Sequence, residues 1–321
     1  MPPARGLLSR EIAPSTYRRI TTLALASLAA IVVSGAAVRL TGSGLGCSDW
    51  PACHESSFVS QGDYHDSIEF LNRLFTGVVS LAVILAVLGS LRRSPRRRDL
   101  TLWSWGLVAG VLAQIVLGGL VVIFHLTPWL VIGHFVLSMV LVWNAVVLRN
   151  RAGHDGAPAP PMVSNGTLWF GRVIVLGAIA AILTGTLVTG SGPHGGDEDV
   201  ERLPFLIHTV ARVHGAVVMT FLALVLIMAR RLRVDGADQA VWRRYTVLLV
   251  VLVAQAAIGY TQYFTDVPAL LVGFHVAGAK ALLISVLTFY LGLFAWRPEP
   301  AAMSSRSSVA HSGTTSAVLS S

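Results

Sequence analysis

The chain has 321 residues, 54% of them hydrophobic and only 12% charged, with a mean hydropathy of +0.68. A soluble domain of this length would need far more charge to cover its surface, so the composition excludes that class and implies a membrane protein. The formal net charge of +8 is no nucleic-acid signature, because its arginines fall in the connections between apolar runs.

Eight runs are apolar over about 20 residues, enough to cross ~30 Å of hydrocarbon. They lie at about 19–40, 67–91, 101–124, 129–149, 168–190, 204–229, 243–264 and 268–296. The expected fold class is an all-α membrane protein of eight transmembrane helices. The first run is too long for a signal peptide and lacks a cleavage flank, so it is kept as a span. Arg5, Arg10, Arg18 and Arg19 precede it, and Arg92, Arg93, Arg96, Arg97 and Arg98 separate runs two and three. Arg149 and Arg151 follow run four, and Arg230, Arg231, Arg233, Arg243 and Arg244 bracket the connection from six to seven. The opposite connections carry only Arg39 and Arg202. By the positive-inside rule both termini are cytoplasmic.

Residues 1–17 and 297–321, rich in Pro, Ala and Ser, read as disordered cytoplasmic ends. Between spans one and two, Thr41 to Asp66 form the long outer loop, where function often resides. It holds the only two cysteines, in Cys47-Ser-Asp-Trp-Pro-Ala-Cys53. Outside the membrane a disulfide can persist, and it would staple the loop. A redox-active thiol pair is the alternative, and a metal site of two thiolates with His54 is a third.

The chain then repeats itself. Gln114-Ile-Val-Leu-Gly118 recurs as Gln255-Ala-Ala-Ile-Gly259, and each is followed, after a short proline-containing loop, by a span with one histidine near its start, His134 and His275. The halves, about 18–150 and 168–296, are joined by a cytoplasmic linker, 151–167, whose Gly153–Pro161 stretch reads as flexible. Four spans in each half give both copies the same orientation, so two four-helix bundles related by a pseudo-twofold axis along the membrane normal are expected. Glu69-Phe-Leu-Asn-Arg73 aligns with His208-Thr-Val-Ala-Arg212 at an offset of 139, whereas an offset of 142 pairs Asn72 with His214. Both registers stay open. Leu40-Thr-Gly-Ser-Gly44 also matches Val188-Thr-Gly-Ser-Gly192 loosely.

Topology places Glu69, Asn72, Arg73, His134, His208, His214 and His275 all in the outer half of the membrane. Ionisable groups in hydrocarbon are costly and usually bind or relay something. A haem inside a bundle takes axial imidazoles from facing helices, and His214 with His275 can clamp one iron in this way. Arg73 and Arg212 suit haem propionates, although Arg73 can equally pair with Glu69 one turn away. Lys280, a turn and a half beyond His275, can reach a propionate or snorkel. His54, His65, His125 and His194 read as solvated loop residues, and His154 and His311 as cytoplasmic.

Val38-Arg-Leu-Thr-Gly-Ser-Gly-Leu-Gly-Cys-Ser-Asp-Trp-Pro51 closely resembles the end of the first span and the outer loop of haem A synthases. The resemblance continues through Glu69–Arg73, the His134 helix, Arg212-Val-His-Gly215 and the His275 helix, over residues 18–296. It implies oxidation of the C8 methyl of haem O to a formyl group, by two hydroxylations and loss of water, for terminal oxidase supply. It also implies a haem b in the C-terminal half on the iron ligands His214 and His275, and a substrate haem site in the N-terminal half at His134. Glu69 matches the family's catalytic glutamate. The family pattern often reads Glu-x-x-His-Arg on span two, and here Asn72 stands in place of that histidine. Asn is a poor iron ligand, so His134 is read as the sole protein ligand there, leaving an open iron position. Glu69 then acts as proton donor or acceptor, or stabilises charge developing at the methyl carbon.

Implied partners are haem O, membrane lipid, the haem O synthase (farnesyltransferase) that makes the substrate, an electron donor and, as an open matter, a second copy of the chain. The implied location is the cell membrane. Two other readings compete. A di-haem membrane cytochrome b moving electrons would need a full histidine set in each half, and the first half lacks one. A two-repeat transporter would need broken helices at midplane, and the spans lack paired Gly/Pro interruptions.

Overall fold

The computed structural model describes residues 11–55 and 57–298. They form eight helices: α1 Pro14–Leu40, α2 Tyr64–Arg92, α3 Arg98–Ile123, α4 Pro128–Ala152, α5 Asn165–Ser191, α6 Ile207–Val234, α7 Gln239–Phe264 and α8 Ala269–Leu291. Each has 23 to 29 residues and is apolar enough to cross a membrane. Leu23, Leu102, Leu176, Val250 and Leu270 are among many large apolar side chains left exposed. Such a surface is unstable in water and is the natural face toward lipid. The protein is a multi-pass, all-helical membrane protein.

The helix boundaries follow local chemistry. Pro14 and Pro128 open α1 and α4 at a position where a missing N–H costs nothing. Ser164 and Asp238 cap α5 and α7 by accepting from Thr167 N–H and Val241 N–H. α1 begins at Pro14, so residues 14–17 are helical and not part of a disordered end. Of the expected tails, residues 11–13, 297 and 298 are also described, Ile12 N–H donating to Arg92 O (2.9 Å); the rest, with His311, lie outside the described residues. α6 starts at Ile207, behind Pro204, and α8 stops at Leu291 because Gly292 is its cap. The stretch 293–296, expected as helix, instead folds back on the inter-half connection.

That connection is tied down. Met162 N–H donates to Leu293 O (2.8 Å), Ala295 N–H to Pro160 O (2.9 Å) and Asp155 N–H to Arg297 O (3.1 Å). His154 stacks on Trp296 with ring centres 5.1 Å apart, and its carbonyl accepts from Arg97.

In the first half α1 packs on α2, α3 on α4, α1 on α4 and α2 on α3, and the same four pairings recur among α5 to α8. The halves meet through α1 and α4 against α8, and α4 against α5. Each half has its own apolar core, one around Tyr17, Leu100 and Leu148, the other around Phe221, Met228 and Leu248. A third cluster, Val32, Met139, Val142, Leu283 and Leu287, seals the junction. The cores leave open a space toward the end of the bundle that carries the cysteine loop.

Candidate functional site

A cavity of about 1100 Å³ opens there, lined by residues of both halves that include Glu69, Asn72, His134, His214 and His275. Its lining is mainly apolar with a few convergent polar groups, the usual character of a cofactor or ligand site.

The repeated Gln…Gly motif explains how two of the imidazoles are placed. Gln114 and Gly118 lie one turn apart on α3, facing α4. Gln114 Nε2 donates to the His134 carbonyl (3.0 Å) and to Ser138 Oγ (2.5 Å), and a Cβ on Gly118 would stand 3.3 Å from His134 Cε1. On α7, Gln255 Nε2 donates to the His275 carbonyl (2.9 Å), and a Cβ on Gly259 would stand 3.2 Å from His275 Cε1. Glutamine fixes the backbone beneath the ring, and glycine makes room for the ring. Neither imidazole uses its Nδ1, which in both residues is buried and without a hydrogen-bond partner among the described residues. A purely structural buried histidine would be satisfied by a carbonyl.

His214 sits on the opposite wall. A Cβ on Gly185 would lie 3.2 Å from its Cε1, and Thr184 Oγ1 lies 3.1 Å from its Nδ1. The Thr184 hydroxyl donates to Ala180 O (2.8 Å), so its oxygen accepts from His214 Nδ1–H and leaves Nε2 free for a metal. The rings of His214 and His275 have centres 6.3 Å apart and planes at 86°. Metal–imidazole bonds of about 2 Å on each side, with about 1 Å more from nitrogen to ring centre, add up to roughly 6 Å. The spacing of the two rings is thus compatible with one metal ion held between them.

The first half has a different set at the matching place. Ser34 Oγ, on α1, donates to Asn72 Oδ1 at 2.7 Å. Ser34 on α1 thus stands to Asn72 as Thr184 on α5 stands to His214. This favours the register that aligns Asn72 with His214 over the one that aligns Arg73 with Arg212. Among the described residues, no second imidazole is paired with His134 as His214 is with His275.

Glu69 is buried, 5% exposed, and both of its oxygens are held. Cys47 N–H donates to Oε2 at 2.8 Å, and Arg73 donates to Oε1 through Nη2 (2.6 Å) and Nε (3.1 Å). Arg73 Nη1 also donates to the carbonyls of Asp49 (3.0 Å) and Ala52 (2.9 Å). One guanidinium therefore clamps the cysteine loop onto α2 while pairing with the carboxylate. Cys47 and Cys53 form a disulfide within that loop. Trp50 of the same loop packs on Gly119 of α3, where any Cβ would come within 2.7 Å of its indole. The loop closes the cavity beside His134.

The remaining residues of interest scatter. Arg212 is exposed, lines the rim of the cavity and has no ion pair among the described residues. Lys280 is buried, and its Nζ donates to the Ala29 carbonyl of α1 at 2.5 Å. His208 and His125 are exposed. His65 bonds Ser43 (3.0 Å) and His194 the Val267 carbonyl (2.9 Å). His54 bonds the buried Asp66 (3.2 Å), whose oxygens are also taken by Ser60 and Gln61 N–H. With the sulfurs joined, no thiolate pair stands beside His54. Ser34, Thr184 and Trp50 were not among the candidates from sequence. Of these, only Trp50 lay in a stretch that sequence had singled out.

The sequence pattern of the COX15-CtaA family, described as cytochrome oxidase assembly protein, matches residues 18–65 and 59–193. The chain belongs to this family. Its curated relatives include a haem A synthase of Halalkalibacterium halodurans, 27% identical over 281 residues, spanning 83% of this chain and 91% of the relative. Another, from Alkalihalophilus pseudofirmus, is 26% identical over 282 residues, spanning 84% of this chain and 94% of the relative. A third, from Shouchella clausii, is 29% identical over 178 residues, spanning 53% of this chain and 58% of the relative. The first two alignments are long enough to include much of both halves.

Proposed function

We propose that the protein is a haem A synthase, an oxidoreductase that converts the C8 methyl of haem O to a formyl group through successive hydroxylations and loss of water. The family and its named relatives support the reaction. The observation that carries the reading within the molecule is the asymmetry of the cavity. Two imidazoles stand 6.3 Å apart in one half, and a single imidazole with a buried glutamate lines the other.

In this reading His214 and His275 hold a haem b, which would supply one-electron chemistry. His134 would be the protein ligand to the substrate iron, and Asn72, held by Ser34, would add no strong iron ligand beside it. Glu69, which lines the same cavity, would act at the methyl group. With donors on both oxygens it is fixed in orientation, and it can stabilise positive charge at the methyl carbon or take a proton as the Arg73 pair loosens. The disulfide loop and Trp50 keep water from the reacting end. Arg212 is placed for a propionate of haem b. By the positive-inside rule the arginine-rich end is cytoplasmic, so both haem sites lie toward the outer face of the cell membrane. Supply by a haem O synthase and an electron donor follows from the chemistry.

The test is to extract and chromatograph haems from membranes containing the protein together with a source of haem O. Haem A or its hydroxylated precursor is the expected product. Haem b alone would instead favour a di-haem electron carrier, a reading disfavoured by Asn72 at the place of a fourth imidazole.

A further inference from the structure

Arg39 and Arg202 are the two arginines that break the charge asymmetry of the connections, and the structure brings them together. Arg39 ends α1, and Arg202 lies in the loop from α5 to α6. Both line the cavity. Adjacent glycines make the meeting place. A Cβ on Gly195 would fall within 2.2 Å of Arg202 Nη1, and one on Gly196 would lie 3.7 Å from Arg39 Cγ. Gly44 N–H donates to Gly196 O at 2.8 Å, so the turn after α1 and the turn after α5 are joined there. Arg39 Nη2 donates to the carbonyls of Thr189 (3.0 Å) and Pro193 (3.5 Å). Neither arginine has a carboxylate within ion-pair distance among the described residues.

Two like charges converging on an apolar cavity without a counter-ion are costly unless an anion joins them. The loop that carries Arg202 also rests on the His134 helix, because Leu203 and Ile132 both pack against Gly190. The geometry points to Arg39 and Arg202 as the site that receives a carboxylate side chain of the haem O substrate, fixing its orientation at His134. The inference rests on the function proposed above. A guanidinium pair offers several N–H donors in fixed forks, which suits a carboxylate and gives nothing to its ester.

The experiment uses purified full-length protein in detergent and follows binding of haem O and of its dimethyl ester by absorbance. Wild-type protein is expected to bind the ester about tenfold or more weakly, the loss due to one charge-assisted hydrogen bond. Arg39→Gln and Arg202→Gln should each weaken haem O binding by a similar factor and leave ester binding unchanged. Equal affinity of wild type for acid and ester, or variant effects that are the same on both ligands, would overturn the proposal. The ester arm on wild type needs no variant, so misfolding cannot mimic the result. A wild-type protein that binds haem O with this discrimination but makes no haem A would sink the function and leave the site standing.

Discussion

The backbone N–H of Cys47 donates to Oε2 of Glu69 at 2.8 Å, which makes the disulfide loop and the buried carboxylate of α2 one structural unit. Arg73 completes it by bonding both the carboxylate and two loop carbonyls. A change in the loop is thus felt at Glu69 without any contact to substrate.

Glu69→Gln keeps the size and an acceptor for Cys47 N–H but removes the charge and leaves Arg73 without its partner. Haem A formation should fall by about a hundredfold or more, in the range for loss of a positioned acid–base group. Haem O should accumulate, with haem b content unchanged, as read by chromatography of extracted haems. Normal conversion in this variant would remove Glu69 from the reaction.

The cysteines can be separated from the clamp. In a Cys47→Ser, Cys53→Ser double variant the amide to Glu69 remains and Arg73 still holds Asp49 and Ala52. If the disulfide is a staple, stability drops by about 2 kcal/mol, the chain-entropy value for so short a loop, and turnover survives at a reduced rate. Complete loss of turnover with unchanged thermal unfolding would mark a redox role. Arg73→Lys, which cannot make the fork, should impair turnover with the disulfide intact.

All eight spans were legible in the sequence because hydropathy over about 20 residues is set by the bilayer and not by packing. The ends were less so. Phe294, Ala295 and Trp296 read as helix by apolarity, but Gly292 stops α8, and these residues serve as a seat for the linker. The histidines of the site could be found from the Gln…Gly repeat, whose physical meaning, a hydrogen bond beneath the ring and space beside it, needed the structure. Register between α2 and α6 could not be chosen from sequence because the deciding partners, Ser34 and Thr184, sit on other helices. The meeting of Arg39 with Arg202 was invisible for the same reason.

Lys280 offers a test of a group that sequence left open. Its side chain is buried and, among the described residues, bonds only the Ala29 carbonyl, across the junction of α1 and α8. That carbonyl lies within α1, where the helix supplies its own donors, so Lys280→Met leaves no bare acceptor behind. Replacing a buried charge by an apolar chain of similar length is often neutral or stabilising. Thermal unfolding should shift by less than about 1 kcal/mol, with haem b retained. Loss of haem b on purification would instead put Lys280 at a propionate.

Three glycine variants test which imidazole serves which haem. Gly118→Ala, Gly259→Ala and Gly185→Ala each push a Cβ to 3.2–3.3 Å from one histidine Cε1, of His134, His275 and His214 respectively. Each ring must then shift by a few tenths of an ångström, and ligand displacement of this kind costs roughly 10- to 100-fold in metal affinity. Gly259→Ala and Gly185→Ala should lose haem b during purification and lose its spectrum, while haem O binding at His134 persists. Gly118→Ala should weaken haem O binding and slow haem A formation while the haem b spectrum stays as in wild type. A Gly118→Ala protein that lost haem b would show that His134 and His275 do not divide the cavity between substrate and cofactor. Because the three substitutions are chemically identical and differ only in which ring they touch, the pattern of losses reports ligand assignment and not general instability.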